Sequence, residues 1–169
     1  MKRFLLALFL ISTFTIAFAQ DSVKIDGRLQ PLLNQFFRHC EAYGIPYHTK
    51  LFQLKSIDIS NTLPLEEGSV VMGMVKRNDD HVIEHILVNW IASIDPEILK
   101  IVAFHEFAHH FLDYKHTCVS CDEIMAVNNA SYFNVAKDWD NQVHQLFVTS
   151  PVYLDMQAKI SAVNMVPSP

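Results

Sequence analysis

The chain has 169 residues, half of them hydrophobic, and a formal charge of −5. That length suits one domain with a single core, and the acidic balance argues against nucleic acid or an anionic membrane surface as the main partner. No repeat, low-complexity tract or Pro/Gly/Ser linker divides the sequence, so one domain followed by a Pro-containing tail is expected.

The first 19 residues carry Lys2 and Arg3, then the apolar run Phe4 to Ile11, then Ala17-Phe18-Ala19. That is the charged, apolar and small-residue order of a secretory signal peptide. Ser12, Thr13 and Thr15 interrupt the apolar part, which is short for a membrane span. Cleavage before Gln20 leaves residues 20–169 as one mature domain of charge −7, secreted or periplasmic, with no stable membrane anchor.

Apolar residues at Leu29, Leu32, Leu33, Phe36, Phe37 and Cys40 fall at helical spacing, and Gly44 and Pro46 stop that helix. Leu51 to Ile59 and Ser69 to Lys76 read as strands. The polar stretch "KRNDD" joins the second of them to a third strand, "HVIEHILVNW". Asp95-Pro96-Glu97 then offers a cap, a proline at the first helical position and an acid in the first turn, so a helix starts there. A stripe of Trp139, Val143, Leu146 and Phe147 marks a C-terminal helix packed on the core.

The helix that begins at Pro96 runs into His105-Glu106-Phe107-Ala108-His109. Its two histidines lie four residues apart, so their rings leave one face about 6 Å apart along the axis. Both nitrogens can then meet one ion at the roughly 2.0–2.1 Å that zinc prefers. Glu106 points about 100° away from His105. It can reach water at the ion but is badly placed to ligate, which is the role of a catalytic base in an HExxH arrangement.

Catalytic zinc takes three protein ligands and leaves a fourth position open. His110, Asp113, His116 and Glu123 are the candidates for the third. His110 faces away from His109, and Asp113 lies about 12 Å from His105 along a continuing helix. If the helix ends near Leu112 or Asp113, the chain turns back and brings His116 to the ion. Asp is one of the few non-glycine residues that adopts the left-handed conformation such an ending needs. His116 is therefore the expected ligand, with Glu123 in reserve.

Three cysteines would be exported into a compartment where disulfides persist. Cys118-Val-Ser-Cys121 has no second CxxC and no thioredoxin-like surroundings, so a local disulfide is expected, leaving Cys40 as a buried free thiol. His81 and His85 flank or occupy a strand and are expected to face solvent or satisfy a local hydrogen bond, while His39, His48 and His144 have no partner at ligand spacing. Asn129-Ala130-Ser131 is a weak match to a glycosylation sequon.

The pattern of His105-Glu106-x-x-His109, a third histidine after a short turn and Glu123-Ile124-Met125 resembles the metzincin zinc endopeptidases, with Met125 in the place of their Met-turn. It is more similar to the small, exported, matrixin-like metallopeptidases of bacteria, whose pattern also has a strand ending near a tryptophan, here "ILVNW". The resemblance is specific over residues 82–126. It departs from the usual metzincin spacing at Leu112, where a glycine is common, and at Lys115, since His116 comes one residue later. Val127 stands where some members carry a tyrosine.

The resemblance implies an α+β, zincin-like fold: a small twisted sheet with an N-terminal helix, an HExxH active-site helix and a C-terminal helix. It implies one catalytic zinc ion and a peptide or protein substrate, paired in extended form with the strand before the active-site helix. The expected activity is hydrolysis of peptide bonds by zinc and Glu106. The competing expectation, from another class, is a zincin-fold module that binds a protein partner with little turnover.

Overall fold

The computed structural model describes residues 22–63, 65–66 and 69–164, so the leader at residues 1–19 lies outside the described part. The chain is α+β, with six α-helices and a small mixed sheet among the described residues. A short strand β1 (Lys24–Ile25) precedes helix α1 (Gln30–Ala42), and helix α2 (His48–Leu51) follows. Next come β2 (Ser56–Ser60), β3 (Leu65–Glu66), β4 (Ser69–Val70), β5 (Gly73–Arg77) and β6 (Ile83–Asn89). A 3-10 turn over Trp90–Ile94 leads to helix α3 (Pro96–Phe111). The chain ends with β7 (Cys118–Cys121), β8 (Ala126–Asn129), α4 (Tyr132–Lys137), α5 (Trp139–Val148) and α6 (Pro151–Asn164).

Helix α1 buries Leu33, Phe36 and Cys40, the stripe expected from its spacing. Its end follows from Gly44, which sits at φ 68: Ile45 N–H reaches the Cys40 carbonyl at 2.8 Å and Gly44 N–H the Glu41 carbonyl at 3.1 Å. This is a Schellman ending, and only the glycine adopts its left-handed step without steric cost. Helix α3 starts as its sequence suggests, with the Asp95 carboxylate accepting from Glu97 N–H at 2.8 Å and Ile98 N–H at 3.3 Å.

Helix α3 is apolar on almost every side, which marks a helix surrounded by core. One side packs on β5 and β6, the other on α1. Phe36 of α1 meets Phe104, Phe107 and Phe111 of α3 and Phe147 of α5 with ring centroids 5.1–5.8 Å apart, so a single aromatic cluster ties three helices together. Trp139 of α5 packs edge-on against Phe104.

The main sheet runs β1-β2-β6-β5, with β1, β2 and β6 parallel and β5 antiparallel to β6. Two expected strands are shorter than their sequence patterns. Leu51 ends α2, and β2 begins only at Ser56. Ser69 to Lys76 splits into β4 and β5. Helix α6 is not legible as a helix in the sequence; it packs on α5, and its Tyr153 meets Tyr43 at the end of α1. No helix among the described residues is long and apolar enough to cross a membrane.

Candidate metal centre and its cleft

His105 and His109 stand one turn apart on α3 with their Nε2 atoms 2.9 Å from each other. The helix ends at Phe111, and Asp113 adopts φ 57, the left-handed step that turns the chain back. Tyr114 N–H returns to the Ala108 carbonyl at 3.2 Å. Two residues later His116 places its Nε2 3.2 Å from that of His105 and 3.2 Å from that of His109. Three ring nitrogens on two segments thus converge on one point.

The opposite edges of two rings are already committed. His105 Nδ1–H donates to the Ile124 carbonyl at 2.6 Å, and His109 Nδ1–H donates to the Tyr114 carbonyl at 2.8 Å. A neutral imidazole that donates from Nδ1 presents a lone pair at Nε2. Burial favours the neutral form of both, pushing His105 down to about 4 and His109 below its usual value. Two lone pairs 2.9 Å apart repel each other, and a cation between them reverses the sign. Tetrahedral ligands at zinc bond lengths would be roughly 3.3–3.4 Å apart, so nitrogens 2.9–3.2 Å apart can hold such an ion with a shift of a few tenths of an ångström.

The other expected candidates fall elsewhere. His110 is buried and its Nε2 bonds the Lys50 carbonyl at 2.8 Å. Asp113 is exposed and pairs with Lys50. Glu123, the reserve ligand, accepts from Thr117 Oγ1 at 2.7 Å and lines a separate pocket of about 360 Å³. It does not join the three histidines. Cys118 and Cys121 form the expected local disulfide, while Cys40 is free and buried, its thiol pushed up to about 12 by burial. Met125 is buried, and its carbonyl accepts from Thr117 N–H at 3.0 Å, which ties the return segment to the Met125 turn. Asn129 of the sequon match spends its amide on the Glu123 carbonyl at 2.7 Å.

The histidines open on a cleft of about 610 Å³. Glu106 lies in its wall, 4 % exposed, with its carboxyl pushed up to about 8 by burial. No hydrogen bond holds that carboxyl among the described residues, so it is available to a group in the cleft. A positive ion at the histidines would favour its charged form and pull it down again.

The strand along the cleft is a correction to expectation. The strand directly before α3 is β6, but it is paired on both sides, with β2 and with β5. Its hairpin with β5 places β5 at the sheet edge, and Met72, Gly73, Met74 and Val75 border the cleft instead. Two residues with a part in the site went unnoticed in the sequence. One is Gly73: a Cβ there would stand 2.7 Å from both Cγ and Cδ of Glu106 and closer still to Oε1. A lone glycine inside a strand pattern is a sign of such close approach. The other is Tyr132, half-buried in the cleft wall at the start of α4, seven residues past Met125; no local pattern points to it. No protein-family model matches this chain, and neither does any curated protein or solved structure.

Proposed function

We propose that this chain is an exported, zinc-dependent peptidase of zincin type, with His105, His109 and His116 as the ligands and Glu106 as the base. The observation that carries the reading is the convergence of three Nε2 atoms within 3.2 Å, two of them held as lone-pair donors, beside a buried carboxyl in an open cleft. Pure metal storage gives no reason for that carboxyl.

Zinc at this position supplies Lewis acidity, polarising a scissile carbonyl and acidifying water in the cleft. Glu106 accepts the proton of the attacking water and passes it to the leaving amine. Its buried setting keeps the carboxylate poorly solvated and therefore basic. Strand β5 has one edge paired with β6; the other borders the cleft and suits an extended peptide, which adds as a further strand. The Tyr132 hydroxyl is a donor in the same wall that can bond the substrate's carbonyl oxygen. The cleft lining mixes apolar side chains such as Met72, Met74 and Val102 with these polar groups, which suits the side chains and backbone of a peptide. The leader at residues 1–19 supports export.

The decisive experiment is Glu106→Gln measured beside wild type for zinc content and for cleavage of a mixed peptide library. Both proteins are expected to hold one zinc, and the variant to lose about 10²–10⁴-fold in rate. A zinc-loaded wild type that cleaves nothing across peptides and unfolded proteins would favour the binding-module reading. An active Glu106→Gln variant would show that the base is another group.

A further inference from the structure

The turn that brings His116 to the cluster passes through a strained step. Asp113 holds φ 57, a conformation that most side chains disfavour, that Asp tolerates better than most and that glycine adopts freely. The residue before it, Leu112, is also not glycine. Lys50 is placed to hold this step from α2, far away in sequence.

Lys50 touches this turn at three points. Its Nζ bonds the Phe111 carbonyl at 3.3 Å, one of the carbonyls left open at the end of α3. The same Nζ pairs with Asp113 Oδ1 at 2.7 Å. Its own carbonyl accepts from His110 Nε2 at 2.8 Å, on the residue next to the ligand His109. The Lys50 side chain is only 26 % exposed, so its ammonium is less screened than a surface charge. A cation at a helix C-terminus is also favoured by the helix dipole. Immediately past the held step, the Tyr114 carbonyl fixes the ring of His109 at 2.8 Å and the chain continues to His116.

We infer that Lys50 is a positioning residue of the metal centre: it locks the left-handed turn at Asp113, and through that turn it sets the ring of His109 and the approach of His116. The inference rests on the metal-centre reading above. Lys50 bonds no ligand ring itself and acts on them through Asp113 and the Tyr114 carbonyl that follows it. Groups that bond ligand rings directly change metal affinity by about 10–100-fold, so an effect of about tenfold is expected for Lys50.

The test is zinc affinity, by competition with a chromophoric chelator, for wild type, Lys50→Met, Asp113→Gly and the double variant. Lys50→Met should weaken zinc binding about tenfold. Asp113→Gly removes the strain itself, so that variant should bind within about twofold of wild type, and in the Lys50→Met background it should restore most of the loss. A residue that only stabilises the fold would lower the melting temperature without this rescue. If Lys50→Met does not fold, Asp113→Ala breaks the same ion pair from its exposed side and should show the same weakening. Wild-type affinity in Lys50→Met, or in Asp113→Ala where that variant carries the test, would overturn the inference and leave the metal centre standing. So would a double variant as weak as Lys50→Met. A wild type that takes up no zinc would overturn the metal centre and this inference together.

Discussion

His105, Glu106 and His109 stand on α3, ten of whose sixteen residues are buried, whereas His116 stands on an exposed return segment between that helix and the β7–β8 pair. The helix half is made rigid by the same aromatic packing that forms the core, and each of its two histidines has its far nitrogen fixed by a carbonyl. The return half is placed by a turn, a disulfide and a few backbone bonds, and His116 Nδ1 has no bond among the described residues. Preorganisation is therefore unequal. Two histidines wait in position, and the third is delivered by a segment that can give.

That inequality predicts unequal losses. His109→Ala should abolish detectable zinc at protein concentrations where wild type holds one ion, since it removes half of the prearranged pair. His116→Ala should keep weak but measurable binding through His105 and His109. Isothermal titration of both variants checks the order. The reverse order would mean that the return segment, not the helix, organises the centre.

The next largest effect is expected at Gly73, which lies opposite the helix half. A methyl group there must push Glu106 or shift β5, and overpacking of this kind costs about 1–3 kcal/mol. Misplacement by about 1 Å can cost 10²-fold in rate. Gly73→Ala should therefore cut peptidase activity about 10²-fold while zinc content stays at one per chain. Loss of zinc instead would show that β5 supports the ligands and not just the base.

The two halves were also unequally legible in the sequence. On α3, the cap at Asp95, the four-residue spacing of His105 and His109 and the offset of Glu106 are consequences of local helical geometry, so sequence alone gave their arrangement. The left-handed step at Asp113 and the return of His116 toward the two helix histidines were readable because few residues tolerate that backbone. Lys50, Gly73 and Tyr132 were not, since each reaches the site from an element whose position depends on tertiary packing. The edge place of β5 was hidden for the same reason: a hairpin folds β6 inward, and a strand pattern does not say which member of a pair lies outside.

A smaller effect separates the buried carboxyl from its surroundings in metal-free protein. Glu106 rises from 4.5 to about 8 in the folded chain, so from pH 4.5 to 8 the folded state holds a proton that the unfolded state has released. Its contribution is complete below pH 4.5 and is lost as pH rises through 8. His105, lowered from 6.5 to about 4, acts the other way: stability rises with pH between those values. His39, His109 and His110, also lowered by burial, act in the same direction as His105, so the histidines oppose Glu106 up to about pH 6.5. Metal-free wild type should lose roughly 4–8 °C in melting temperature from pH 6.5 to 8, and Glu106→Gln should not. An equal decline in both proteins would remove Glu106 as the cause.

The smallest effect is expected from the disulfide, which belongs wholly to the return half. Cys118 follows His116 by two residues, and Cys121 precedes by three the carbonyl of Ile124 that fixes His105. Closing so short a loop contributes roughly 2 kcal/mol by restricting the unfolded chain. The double change Cys118→Ser, Cys121→Ser should lower stability by about that amount and weaken zinc binding by less than about tenfold. Reduction of the wild type with a dithiol should reproduce the affinity change. Amide exchange in α3 should stay slow while that of β7 and β8 speeds up, because the helix is held by the aromatic core and the ribbon is not. If removing the bridge instead empties the site as completely as His109→Ala does, the helix half is not self-sufficient, and the return segment must form before the helix can bind the ion.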